Sequence, residues 1–139
     1  MNTIINSGGG SKNYLYNEGE MSPLITLSGS FVNEGGAIQN TASGAQTFTI
    51  DQSVLSQEGF LILETTYSNT SGSNGILYIR LRQNGSTVKS TSQNPETGTS
   101  LNIKALIGIA LTNTGVNQIV IEYTGYSRTM KITKIYVEK

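Results

Sequence analysis

No cysteine, no histidine and no tryptophan occurs in the 139 residues, and Asp51 is the single aspartate. Without Cys there are no disulfides, no thiolate nucleophile and no Cys-built zinc site, and the redox compartment is left open. Without His, general-base catalysis and nucleophile–base pairs lose their commonest member. Charge is scarce as well: nine basic and nine acidic side chains cancel to a formal net charge of zero. A nucleic-acid duplex, held through many phosphate contacts, is therefore not an expected partner. No apolar run is long enough for a signal peptide or a membrane span, so neither secretion by that route nor membrane insertion is expected. Proline is confined to Pro23 and Pro95 and no charged tract divides the chain, which predicts one domain rather than two joined by a linker. Residues 1–12, with Gly8, Gly9 and Gly10, read as a flexible N-terminal segment ahead of a single domain over 13–139.

What the chain does contain is a succession of short runs rich in Ile, Leu, Val, Thr and Tyr, each closed by Gly, Ser, Asn or Thr. These predict strands at Tyr14–Tyr16, Leu24–Leu27, Ala37–Gln39, Gln46–Ile50, Phe60–Tyr67, Ile76–Arg82 and Thr87–Thr91. Further strands are expected at Leu101–Ile103, Ile107–Leu111, Gln118–Tyr123 and Met130–Val137. So many strands in one domain must form two sheets, because a single open sheet would leave a face of apolar side chains in water. The fold class is thus all-β, a two-sheet antiparallel sandwich. Asp51 to Glu58 reads as a crossover loop with one capped helical turn, ended by Gly59. Ser68 to Asn74 and Ser90 to Ser100 read as exposed loops.

Asn84-Gly85 is the sharpest local signal, since both residues accept the positive φ of a two-residue hairpin turn. A hairpin centred there sets Leu81 opposite Val88 and Ile79 opposite Ser90 on an inner face, with Arg82 facing Thr87 and Arg80 facing Lys89 on the outer one. If Phe60–Tyr67 pairs with Ile76–Arg82, Leu61 and Leu63 join that inner face while Glu64 and Tyr78 join the outer one. Tyr78, Arg80, Arg82 and Lys89, with Glu64 as the nearby carboxylate, are the candidate ligand-binding residues. A ring and forked guanidinium groups suit sugars, sialic or uronic acids, or a partner's carboxylates. The bland alternative is a half-exposed sheet face bearing solubilising charge. Tyr67, Tyr123 and Tyr126, near loop ends, are either cleft residues or packing. Catalysis would rest on carboxylate pairs, Glu18 with Glu20 or Glu64 with Glu122, and plain solvated carboxylates explain these better, so no enzyme is expected. Glu18 and Glu20 are also the one local place for a structural Ca²⁺; no cofactor is otherwise implied.

The segments Asn13-Tyr14-Leu15-Tyr16-Asn17-Glu18-Gly19-Glu20 and Met130-Lys131-Ile132-Thr133-Lys134-Ile135-Tyr136-Val137-Glu138 open and close the domain. With Ile25-Thr26-Leu27-Ser28-Gly29-Ser30-Phe31, and Ile50-Asp51 ahead of Phe60-Leu61-Ile62-Leu63, they resemble the jelly-roll domains of tail proteins from phages and prophages of Gram-positive bacteria. Those domains open on a Leu-Tyr-Asn-x-Gly segment, continue with a Thr-Gly-Gly-Trp turn, and finish on an Ile-x-Lys-Ile/Val-x-Leu/Val-Glu strand. Phe31 stands where the tryptophan usually does. Such domains resemble galactose-binding-like and carbohydrate-binding modules in architecture. The resemblance implies jelly-roll topology and a virion location in a tail, baseplate or fibre, with host cell-surface glycan or other virion proteins as partners and homo-oligomers among the expected assemblies. The alternatives are an architectural or capsid-decorating subunit and a carbohydrate-binding module of a secreted enzyme.

Overall fold

A computed structural model describes residues 11–40, 44–69, 77–93, 100–112, 119–125 and 128–139. Strands dominate. They are β1 (Lys12–Asn17), β2 (Glu20–Met21), β3 (Ile25–Thr26), β4 (Val32–Glu34), β5 (Ala37–Asn40), β6 (Gly44–Ile50) and β7 (Phe60–Asn69), then β8 (Leu77–Gln83), β9 (Ser86–Gln93), β10 (Ile103–Leu106), β11 (Ile119–Gly125) and β12 (Arg128–Glu138). One short 3₁₀ turn, Gln52–Ser56, follows Asp51. The Asp51 side chain accepts from the Ser53 N–H at 3.0 Å, and its carboxyl lies below the usual range because of its hydrogen bonds to Ser53.

All ladders between the strands are antiparallel and fall into two sheets. The first runs β10-β7-β12-β1-β2, with β5 taking the other half of the β12 edge and β4 lying outside β5. The second runs β3-β6-β11-β8-β9. The order β5-β12-β7-β10 set against β6-β11-β8-β9 is the wrapped arrangement of a jelly roll, so the sandwich and its topology follow the expectation. Alternation along each strand builds the interior. Leu61 and Leu63 of β7, Ile79 and Leu81 of β8, Phe48 of β6 and Ile121 of β11 are fully buried between the sheets. Each such side chain contributes roughly 1.5–3 kcal/mol through loss of apolar surface from water. Phe31 lies in this interior too, edge-on to Phe48 at 4.9 Å, so its ring is a packing element.

Four expectations fail, each for a local reason. Ser92 and Gln93, read as part of an exposed loop, instead extend β9, because they pair opposite Tyr78 and Leu77 of β8. Phe60–Tyr67 does not pair with Ile76–Arg82, because β7 has both edges occupied by β12 and β10, and β8 belongs to the opposite sheet. The inward set survives because parity within each strand is unchanged, whereas Glu64 is carried to the far side of the molecule. The Asn84-Gly85 turn forms, with φ of 52° and 76°, but two residues into β9 the register shifts. Arg82 still faces Thr87, yet Leu81 faces Lys89 and Arg80 faces Ser90. This bulge keeps the partly buried Val88 against the core and avoids the direct Arg80–Lys89 opposition, which would be repulsive. Ile107–Leu111 is a turn, not a strand. Gly108 at φ 94° reverses the chain, Ile107 and Leu111 make one bridge, and Ile109 is left 76% exposed at the tip. β2 and β4, of two and three residues, are too short for the pattern to have marked.

Candidate functional site

The outer surface of the second sheet carries the charged group expected from the sequence, in a changed composition. Inward burial of Ile79 and Leu81 on β8 and of Ile121 and Tyr123 on β11 turns Tyr78, Arg80, Arg82 and Glu122 outward. Arg80 stands opposite Glu122 in the ladder and donates to its Oε1 from Nη1 at 2.9 Å. Arg82 approaches the other oxygen of the same carboxylate at 3.4 Å and donates from Nη2 to the Gly85 carbonyl at 2.8 Å. Glu122 therefore spans both guanidinium groups. Its side chain is 12% exposed, against 30% and 35% for Arg80 and Arg82, so the carboxylate lies deeper than the cations it holds. The Arg80 guanidinium also lies 4.6 Å from the centre of the Tyr78 ring, within cation–π range. A guanidinium has five N–H donors, so these contacts leave several on each arginine for a ligand.

Hydroxyl groups border this row. Thr47 faces Glu122, Ser90 faces Arg80 and Thr87 faces Arg82, all three exposed. The strip is polar, with two cations and one anion at its centre. Of the residues expected to form it, the structure brings together Tyr78, Arg80 and Arg82. Lys89 is exposed but stands across from Leu81, outside the arginine row. Glu64 is on the outer surface of the other sheet, where its Oε2 accepts from the Tyr136 hydroxyl at 2.6 Å. Glu122 takes the role the sequence suggested for Glu64, and the outward parity of the run Ile119 to Tyr123 was the signal for it.

Around Glu64 the first sheet has an aromatic outer strip. Tyr136 packs on Tyr14 at 5.3 Å, Lys12 lies 5.0 Å from the Tyr136 ring, and Lys104 lies 4.2 Å from that of Phe60. Burial, and then the hydrogen bond to Glu64, push the Tyr136 phenol well above its ordinary range.

Of the carboxylate pairs weighed as catalysts, Glu64 with Glu122 does not assemble. Glu64 and Glu122 project from opposite outer surfaces of a sandwich whose sheets are themselves about 10 Å apart, beyond the spacing of a glycosidase pair. Glu18 and Glu20 are exposed on either side of Gly19 in the β1–β2 turn, and among the described residues no cluster of three or more His, Cys, Asp or Glu side chains forms a metal site. Tyr123 is fully buried, hence packing; the side chains of Tyr67 and Tyr126 lie outside the described residues.

No family model matches the chain, and no curated protein does. Among solved structures, a similar chain is CsCBM6-3 from Clostridium stercorarium, determined in complex with cellobiose. It has 18% sequence identity and a TM-score of 0.44, over 96% of this chain and 98% of that one. Cellobiose is the ligand of that protein, and no inference about the ligand of this chain rests on the likeness.

Proposed function

We propose that this chain is a non-catalytic jelly-roll binding domain of a phage or prophage virion, in a tail, baseplate or fibre, and that it holds an acidic saccharide of the host cell surface on the open side of its second sheet. The observation that carries the ligand class is the Arg80–Glu122–Arg82 row beside Tyr78. Two guanidinium groups are oriented by a deeper carboxylate on a rigid sheet, with hydroxyl side chains around them. A uronic or sialic carboxylate fits the free N–H forks, sugar hydroxyls fit Thr47, Thr87 and Ser90, and the Tyr78 ring offers an apolar surface. The virion assignment rests on the resemblance of the opening and closing segments.

Titration of the ¹⁵N-labelled chain with glucuronic acid and with sialyllactose tests the ligand class. Shifts confined to β8 and β11, weakened by salt and abolished in Arg80→Glu, are the expected outcome; no shift with either probe rejects it. A second function is favoured by the partial neutralisation of the arginines by Glu122: the same strip docks an acidic surface of another virion protein. In that case both saccharides fail, and light scattering shows an assembly of the purified chain, or of the chain with virion proteins, that Arg80→Glu disrupts.

A further inference from the structure

The β1–β2 edge of the first sheet carries a hollow of about 430 Å³ on the side of the molecule away from the arginine row. Tyr14, Leu15 and Asn17 line it from β1, Glu20 and Met21 from β2, and Ser22 completes it. An irregularity in β1 accompanies it. Tyr14 faces Tyr136 and Tyr16 faces Ile135, so Leu15 is an extra residue, and Leu15 and Tyr16 are both buried. A bulge of this kind bends the strand and re-aims its neighbours. Tyr14 is left 39% exposed and Met21 38% exposed, two of the few large apolar side chains at the surface among the described residues.

The Tyr14 ring is fixed from behind. It packs on Tyr136 at an interplanar angle of 54°, and Tyr136 is in turn tied to Glu64. Beside the ring runs a polar row across neighbouring strands, in which Asn17 is paired with Glu20 on one side and with Lys134 on the other. Asn17 lines the hollow from the same strand. Its Oδ1 is enclosed and accepts no hydrogen bond among the described residues. Enclosed amide oxygens are normally satisfied; this one has no exposed surface, so it is the other end of the Asn17 amide that can meet a group in the hollow.

We infer that this hollow is a site for one uncharged hexopyranose unit. The apolar C–H side of the sugar lies on Tyr14 with the Met21 thioether beside it, and its hydroxyls meet the Asn17 amide and the Glu20 carboxylate, with Lys134 as a further donor. Glu20 and Lys134 cancel in charge, as do Glu64 and Lys12 around Tyr136, so nothing here selects an acid. The arginine row, by contrast, carries a net positive charge. The two surfaces face opposite ways and select different sugars, and the hollow does not depend on the arginine row being a site.

The test uses the full chain with ¹⁵N and methionine-methyl labels, titrated with lactose, maltose and chitobiose, and with glucuronic acid as the charged control. The expected result is a saturable shift at Tyr14, Asn17 and the Met21 methyl with at least one neutral disaccharide, indifferent to salt and retained in Arg80→Glu. The buried Met130 methyl serves as an internal reference. Asn17→Ala and Tyr14→Ala each lower the affinity at least tenfold, while Tyr14→Phe, which keeps the ring and the packing, retains it. Silence at these three residues with all neutral probes overturns the inference, and so does a neutral-sugar response confined to Tyr78 through Arg82. Glucuronic acid is read at β8 and β11 in the same spectra, so failure of one site is separable from failure of the other.

Discussion

Replacing Glu122 by alanine removes the single carboxylate shared by Arg80 and Arg82. With side chains 12% exposed on one side and about a third exposed on the other, the group lies between two regimes. Exposed ion pairs are worth roughly 0.2–1 kcal/mol, and breaking a buried one costs roughly 3–5 kcal/mol. The 2.9 Å contact with Arg80 is a charge-assisted hydrogen bond. Such bonds contribute roughly 1.5–3 kcal/mol, and the exposure of the arginine places this one at the lower end, so Glu122→Ala should cost about 2 kcal/mol. A double-mutant cycle with Arg80→Ala should give a coupling of about 1 kcal/mol. The longer 3.4 Å contact of Arg82, which keeps its bond to Gly85, should couple by less than about 0.5 kcal/mol. Urea unfolding of the four proteins in each cycle measures both couplings, at low salt and at 1 M salt, where screening reduces them. Equal couplings to the two arginines, or none to Arg80 at low salt, would refute the unequal sharing inferred from the geometry.

Gly59→Ala should destabilise by at least about 3 kcal/mol, lowering the melting temperature by roughly 10 °C. Its φ is 114° and an added Cβ would lie 2.8 Å from the Glu138 carbonyl carbon and 2.9 Å from Lys139 Cα, inside backbone that cannot give way. Gly85→Ala, at φ 76° with nothing within 4 Å, should cost only about 1 kcal/mol, from the left-handed backbone alone. Because the Tyr136 phenol is raised in the fold, its contribution is whole below the unfolded-state value near 10 and is lost as pH climbs from there through the folded-state value. Tyr136→Phe should therefore flatten the alkaline limb of the stability profile, measured by urea unfolding between pH 8 and 12. Ile109→Ser should change stability by no more than about 0.5 kcal/mol, since the side chain is 76% exposed.

Period-two alternation was enough to identify the sandwich and most of its interior, because facing inward is a property of each strand taken alone. Which strands are neighbours is not such a property. β7 and β8 are consecutive, yet each found its partners elsewhere, and with that exchange Glu64 left the charged surface and Glu122 entered it. The bulge at Val88 was illegible for a related reason. It arises from competition between burying Val88 and separating Arg80 from Lys89, and neither strand shows that conflict alone. The hollow at Tyr14 was hidden further still, since it depends on an extra residue at Leu15 that appears only when β1 is laid against β12. Ile107–Leu111 misled through a regular pattern that one positive-φ glycine cancels.

β12 runs through the first sheet with β7 along one side and β5 and β1 sharing the other, although it is the last of the described strands in order of synthesis. Until the ribosome has delivered those eleven residues, three earlier strands have no scaffold on which to meet, and they wait with their ladder groups open to any passing chain. The first sheet therefore cannot close until β12 is present, and the slowest event in folding should be the insertion of this strand between strands made long before it.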